Sequence, residues 1–252
     1  MRSRARWSSR TLVALLIGGL VITGLPSSAL AGPVPDNVDF FMIVPGIGNS
    51  FQDFSSTPLP VGFFGPGSLS FTATVVFTGV TLSPAESSAN VTVRRLDTAK
   101  FSHPFPSDAT VGLRIEDMSL GNLSTIRVGF LDGHTETWNL TVGRSSAPQP
   151  TGSMTITHST NEGGNWTASL PVLPLYTFTR GTEVRVVDTA DAGSLLPQWN
   201  LSAQGIPWEH QSPKTIFASN RFCPACFAGA AVQFNYDSAN VQLRFEPAFP
   251  AA

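Results

Sequence analysis

The sequence predicts an all-β protein: an antiparallel β-sandwich, built as one large unit or two tandem smaller ones, behind a cleaved N-terminal signal peptide. Three observations predict it. Apolar residues recur at every second position over much of the chain, the side-chain period of a half-buried strand. Gly (22) and Pro (20) are abundant and punctuate those runs, as turns require. Charged residues make up only 13% of the chain, about half the usual share, so Ser and Thr carry most of the polar surface, as in extracellular β proteins.

The first 31 residues read as an export signal. Arg2, Arg4, Arg6 and Arg10 form a positive start, residues 12–25 an apolar run, and Ala29, Leu30 and Ala31 a small-x-small cleavage pattern. The run is broken by Gly18, Gly19 and Gly24 and falls short of the roughly 20 residues a spanning helix prefers. Cleavage after Ala31 is the expectation, leaving a secreted or periplasmic protein with no membrane span. Without the four signal arginines, 15 Lys+Arg become 11 against 17 Asp+Glu, a net charge of −6. Nucleic-acid binding needs clustered Lys and Arg. The only lysines are Lys100 and Lys214, so nucleic acid is excluded as a partner.

The segment 57–68 cannot be a regular strand. Pro58, Pro60 and Pro66 remove backbone donors, and Gly62, Gly65 and Gly67 favour turns. Phe63 and Phe64 are therefore loop aromatics, read either as a plug in one end of the sandwich or as an exposed platform for a ligand. Beyond it, Phe71, Ala73, Val75 and Phe77 alternate with Thr72, Thr74 and Thr78. The same alternation marks strands at Val91/Val93, Val111/Leu113/Ile115, Ile126/Val128/Phe130, Trp138/Leu140/Val142, Met154/Ile156, Val184/Val186, Val232/Phe234/Tyr236 and Val241/Leu243/Phe245. About ten strands follow, and no helix. Asp132-Gly133 is expected to close a type I′ hairpin between the strands on either side, and residues 237–240 a second one.

Residues 143–150, rich in Ser and Pro, are the expected boundary between a first sandwich over 32–143 and a second unit over 151–252, either separate from the first or continuous with it. A weak echo supports a duplication: a strand, a proline-bracketed apolar loop and a strand ending in Asp117 recur before Asp188.

The run of Pro58, Pro60, Phe63, Phe64, Pro66, Gly67 and Ser68 resembles a Pro-x-Pro-x-x-Phe-Phe-x-Pro-Gly-Ser segment of exported bacterial all-β proteins to which no activity is assigned, and residues 170–178 resemble a second segment of those proteins. The resemblance covers about a quarter of the chain. It implies an exported β protein and nothing about mechanism.

Cys223 and Cys226 are the only cysteines. A redox dithiol needs its first Cys at a helix N-terminus, and the sequence after Cys226 runs into a strand instead. A structural zinc site needs two further ligands, whereas His103, His134, His158 and His210 are scattered singly. The expectation is a small-loop disulfide in an oxidising compartment, worth on the order of 2 kcal/mol.

No nucleophile elbow, metalloprotease helix or phosphate-binding glycine loop occurs in the sequence, and no cofactor is implied. Asp132, His134 and Glu136 form the densest titratable cluster, read as the solvated end of a hairpin. Sequons at Asn90, Asn122, Asn139, Asn165 and Asn200 are expected to be unmodified in a bacterial host. Trp138 reads as core, while Trp199 and Trp208 fall in a loop-like stretch over 198–210 and are the candidates for ligand stacking beside Phe63 and Phe64. The leading functional expectation is a non-catalytic binding or structural module with an extracellular carbohydrate or protein ligand. The alternative is a polysaccharide hydrolase whose carboxylates, Glu209 or Asp188 among them, come from loops.

Overall fold

A computed structural model describes residues 37–46, 49–82, 89–102, 104–160, 163–211, 221–223, 232–236 and 241–247. The expected signal peptide, Cys226 and the turn at 237–240 lie outside the described residues.

Every described segment of regular structure is a strand: β1 (Asn37–Ile43), β2 (Phe51–Asp53), β3 (Thr74–Gly79), β4 (Val91–Arg95), β5 (Ser107–Asn122), β6 (Ile126–Gly129), β7 (Thr135–Arg144), β8 (Gly152–Thr160), β9 (Gly163–Val172), β10 (Pro174–Arg180), β11 (Glu183–Asp188), β12 (Trp199–Gln211), β13 (Arg221–Cys223), β14 (Val232–Tyr236) and β15 (Val241–Pro247). All their pairings are antiparallel. The all-β, antiparallel expectation holds.

In the larger sheet the ladders run β1–β4–β5–β8–β9–β12–β14–β15 and return to β1. A circuit that closes leaves no open edge for uncontrolled pairing. The smaller sheet, β3–β5–β7–β10–β11, grows from the far end of β5, where Ser119 to Gly121 pair with β7 and Leu120 to Asn122 with β3. The strand β5 belongs to both sheets, and one apolar cluster fills the space they enclose. Strands from the two sequence halves share ladders, β5 with β8 and β7 with β10. The proline-rich stretch near 145–150 is a tied corner. Gln149 Nε2 donates to the carbonyls of Ser145 and Leu173, and its Oε1 accepts from Leu173 N–H at 2.9 Å, so a side-chain amide satisfies the backbone where β9 turns into β10.

Four local expectations need correction. The stretch 198–210 is a strand: Trp199, Leu201 and Ala203 are buried, then Trp208, because a register shift between Ala203 and Ile206 moves the alternation by one residue. Gly205, at φ 61, supplies the left-handed backbone of that bulge. The apolar stretch around Pro171 and Pro174 is also no loop, since β9 runs through Pro171 opposite Asn200 and Pro174 opens β10, a first position where a missing donor does no harm. In β11 the phase is reversed: Val184 and Val186 are half exposed at the sheet margin, and Glu183 and Arg185 lie on the inner side. The hairpin between β6 and β7 forms, but over a three-residue loop. Gly133 N–H donates to Phe130 O and Phe130 N–H to His134 O, with Gly133 at φ 85, the type I turn plus left-handed glycine that three-residue hairpins use.

Candidate functional site

The segment with three prolines folds back on itself and clamps the β6–β7 hairpin. Gly62 N–H donates to Ser68 O, Phe64 N–H to Ser68 Oγ and Leu69 N–H to Gly129 O. Phe64 is thereby driven inward to 2% exposure. Its ring sits edge-on to Trp138 (5.1 Å), Phe178 (5.3 Å) and Phe71 (5.8 Å), the geometry the aromatic quadrupole favours. Phe63 is half-buried against Phe178 at 5.6 Å. The pair closes this end of the fold, and Phe64 offers no ring face to solvent.

Around this plug stands a ring of charge. Glu136 Oε1 accepts from Arg180 Nη1 at 2.7 Å and its Oε2 from the Trp138 indole N–H at 3.1 Å. Arg180 also reaches Glu183 at 2.8 Å. Arg185 donates from Nε to Phe63 O at 3.2 Å, tying β11 to the loop. The guanidinium carbons of Arg180 and Arg185 stand 5.5 and 5.9 Å from the Trp138 ring centre, within cation–π range. Strand period explains the arrangement, since Arg180 is in phase with buried Tyr176 and Phe178, and Glu136 with Trp138 and Leu140. At the hairpin tip, His134 stacks on Phe130 and pairs with Asp132. The His134 backbone N–H, then its ring, hold the Asp132 carboxyl below the ordinary carboxylate range. The expectation of a solvated tip fits Asp132 and His134, while Glu136 is drawn into the ion-pair ring.

Trp199 and Trp208 are not stacking platforms. They are 0% and 1% exposed. Trp199 donates its N–H to Tyr176 Oη, and Trp208 to the carbonyls of Thr157 and Asn165. Burial of two indoles whose only polar atom finds an acceptor stabilises a core. The bulge at Gly205 hides the period that would otherwise assign both rings to the interior.

Other carboxylates are likewise engaged. Asp188 accepts from Ser145 Oγ at 2.8 Å and from Ala190 N–H at 2.9 Å. Glu116 is shared by Arg114 and Arg94 at 2.9 and 3.1 Å, which hold its carboxyl below the usual range, Arg114 foremost. Asp39 makes a two-point contact with Arg95 at 2.9 and 3.2 Å. Burial pushes the Asp39 carboxyl up, against the opposing pull of Arg95. Glu209 lies in β12 with its side chain outside the described set, as is that of Cys223 at the end of β13. Among the described residues no three His, Cys, Asp or Glu side chains are gathered as a metal would need, and no helix is long and apolar enough to cross a membrane.

Fold and site together define an antiparallel β protein in which the Phe63–Phe64 plug and the ion pairs of Glu136, Arg180 and Glu183 close one end. No protein-family model matches the chain, and no curated protein or solved structure is significantly similar to it.

Proposed function

We propose that the chain is a secreted bacterial β-sandwich protein acting without catalysis, as a binding or structural module at the cell envelope or outside it, with an extracellular carbohydrate or protein as ligand. The observation that carries this reading is the engagement of Glu136, Asp188, Glu116 and Asp39 by Arg, Ser or backbone partners. A glycosidase needs two carboxyl groups free to exchange protons across a cleft, and these four are held as structural acceptors. Uncharged strand faces are left to meet a ligand. In the same oxidising compartment Cys223 and Cys226 form a disulfide that staples the segment after β13; two reactive thiols in the unfolded protein would overturn that assignment. The functional reading is tested by glycan-array and polysaccharide pull-down of the processed chain, together with a screen of extracellular proteins. Capture by one of these is the expected result, and silence across all of them contradicts it.

A further inference from the structure

The strands β8 and β9 contain no Asp, Glu, Lys or Arg in 9 and 10 residues. Their inner faces are core: Met154, Ile156, Trp166 and Leu170 are buried. Their outer faces carry hydroxyls in register, Ser153 opposite Ser169 and Thr155 opposite Thr167. The rows continue onto the flanking strands, with Thr110 opposite Thr155 in β5 and Ser202 opposite Ser169 in β12. The hydroxyls of Thr110 and Thr155 are 3.0 Å apart and joined by a hydrogen bond. Strand geometry sets the spacing of this grid at about 4.8 Å across and about 6.8 Å along the strands. Asp108, opposite Thr157, lies at one margin of the grid, and Arg114, beyond Gly112 on the same face of β5, lies at another. The contrast with the neighbouring outer face, where Arg94, Arg114 and Glu116 cluster, is sharp for two faces that share β5.

We propose that this face binds a neutral polysaccharide, an inference that rests on the binding-module reading above. Three considerations select that occupant. A hydroxyl both donates and accepts, so a regular array of them complements a ligand whose own polar groups are hydroxyls. The absence of charge from the centre of the face gives no attraction to anionic or cationic polymers and imposes no ion-desolvation penalty on a neutral one. Four strands by three or four rows span on the order of 400 Å², about half of what each partner of a standard protein–protein interface buries. An extended polymer that continues past the face needs no larger footprint, whereas a folded partner does.

The test is affinity electrophoresis of the processed full chain through gels containing hydroxyethylcellulose or galactomannan, with polygalacturonate as the anionic counterpart. Retardation in a neutral gel, unchanged between low and high salt, is expected. In the T155K/T167E variant the new charges face each other across β8 and β9 and can pair, so the sheet is retained while the neutral grid is lost. Its retardation should weaken at least tenfold. The T141E/T177K variant, the same exchange on the register pair of β7 and β10, should migrate as wild type. Emission from Trp166 and Trp208, buried beneath the grid, reports that each variant is folded; should T155K/T167E misfold, T155V/T167V removes the same hydroxyls and should weaken retardation several-fold. Wild-type retardation undiminished in a folded face variant overturns this site and leaves the binding-module reading standing. Wild-type migration unaffected by every neutral polymer overturns the proposal, and the protein-ligand arm of the function then decides the broader reading.

Discussion

Trp199 donates its indole N–H to the hydroxyl of Tyr176 at 2.8 Å, with both side chains fully buried and their rings nearly perpendicular. Tyr176 belongs to the smaller sheet and Trp199 to the closed circuit, so this bond joins the two sheets. Replacing Tyr176 by Phe keeps the ring and removes the acceptor. A buried donor so deprived costs about 1–3 kcal/mol, and urea unfolding followed by tryptophan emission should show that loss with an unchanged denaturant slope.

The pairing of Asp39 with Arg95 fastens β1 to β4, and Arg95 is only 1% exposed. Asp39→Asn removes this carboxylate from a buried guanidinium, for which about 3–5 kcal/mol of destabilisation is expected. The double replacement Asp39→Leu with Arg95→Met removes both charges and should recover much of the loss. Thermal unfolding of the wild type and the two variants distinguishes the cases: equal stability of single and double variants would show that the charge left behind is not the cause.

Phe64→Ala opens a cavity among Phe71, Trp138 and Phe178 and should cost about 3–5 kcal/mol. Phe63→Ala, at a half-buried site, should cost less. A ligand platform would behave in the opposite way, losing affinity at little expense in stability, so denaturant midpoints of the two variants separate a plug from a platform.

Glu116 carries a pH prediction whose sign follows from its depressed carboxyl. Its ion pairs stabilise the fold above the ordinary carboxylate range, and that contribution is lost as the pH falls through the lowered folded-state value. The groups are partly exposed, so screening holds the effect to about 0.2–1 kcal/mol. Wild type should exceed E116Q by that amount at pH 7 and low salt, and the two should converge at acid pH or in molar salt.

Strands with unbroken period two are legible in the sequence alone: Val91 and Val93, Leu113 and Ile115, Leu140 and Val142 all point where their alternation says. The strands that escape this reading do so for local reasons. Gly205 shifts the phase of β12, and the prolines at 171 and 174 sit at positions a strand tolerates while looking like breaks. Period also holds information that apolar residues alone do not display. Arg95 is in phase with Val91 and Val93, Asp39 with Phe41 and Ile43, and Arg180 with Tyr176 and Phe178. A charge on the apolar face of a strand signals a cross-strand ion pair, although the partner strand is fixed only by the fold. The hydroxyl grid shows in the sequence as low charge, but its assembly depends on the order β5–β8–β9–β12, which joins both halves of the chain and is not encoded in local pattern.

A protein that holds its ligand without transforming it should retain a polymer and leave its chain length unchanged. Incubating the processed chain with soluble galactomannan and hydroxyethylcellulose, while following both gel retardation and the release of reducing ends, tests this directly. Retardation with reducing ends constant over time is the expected result. Reducing ends that accumulate in proportion to protein concentration would contradict it.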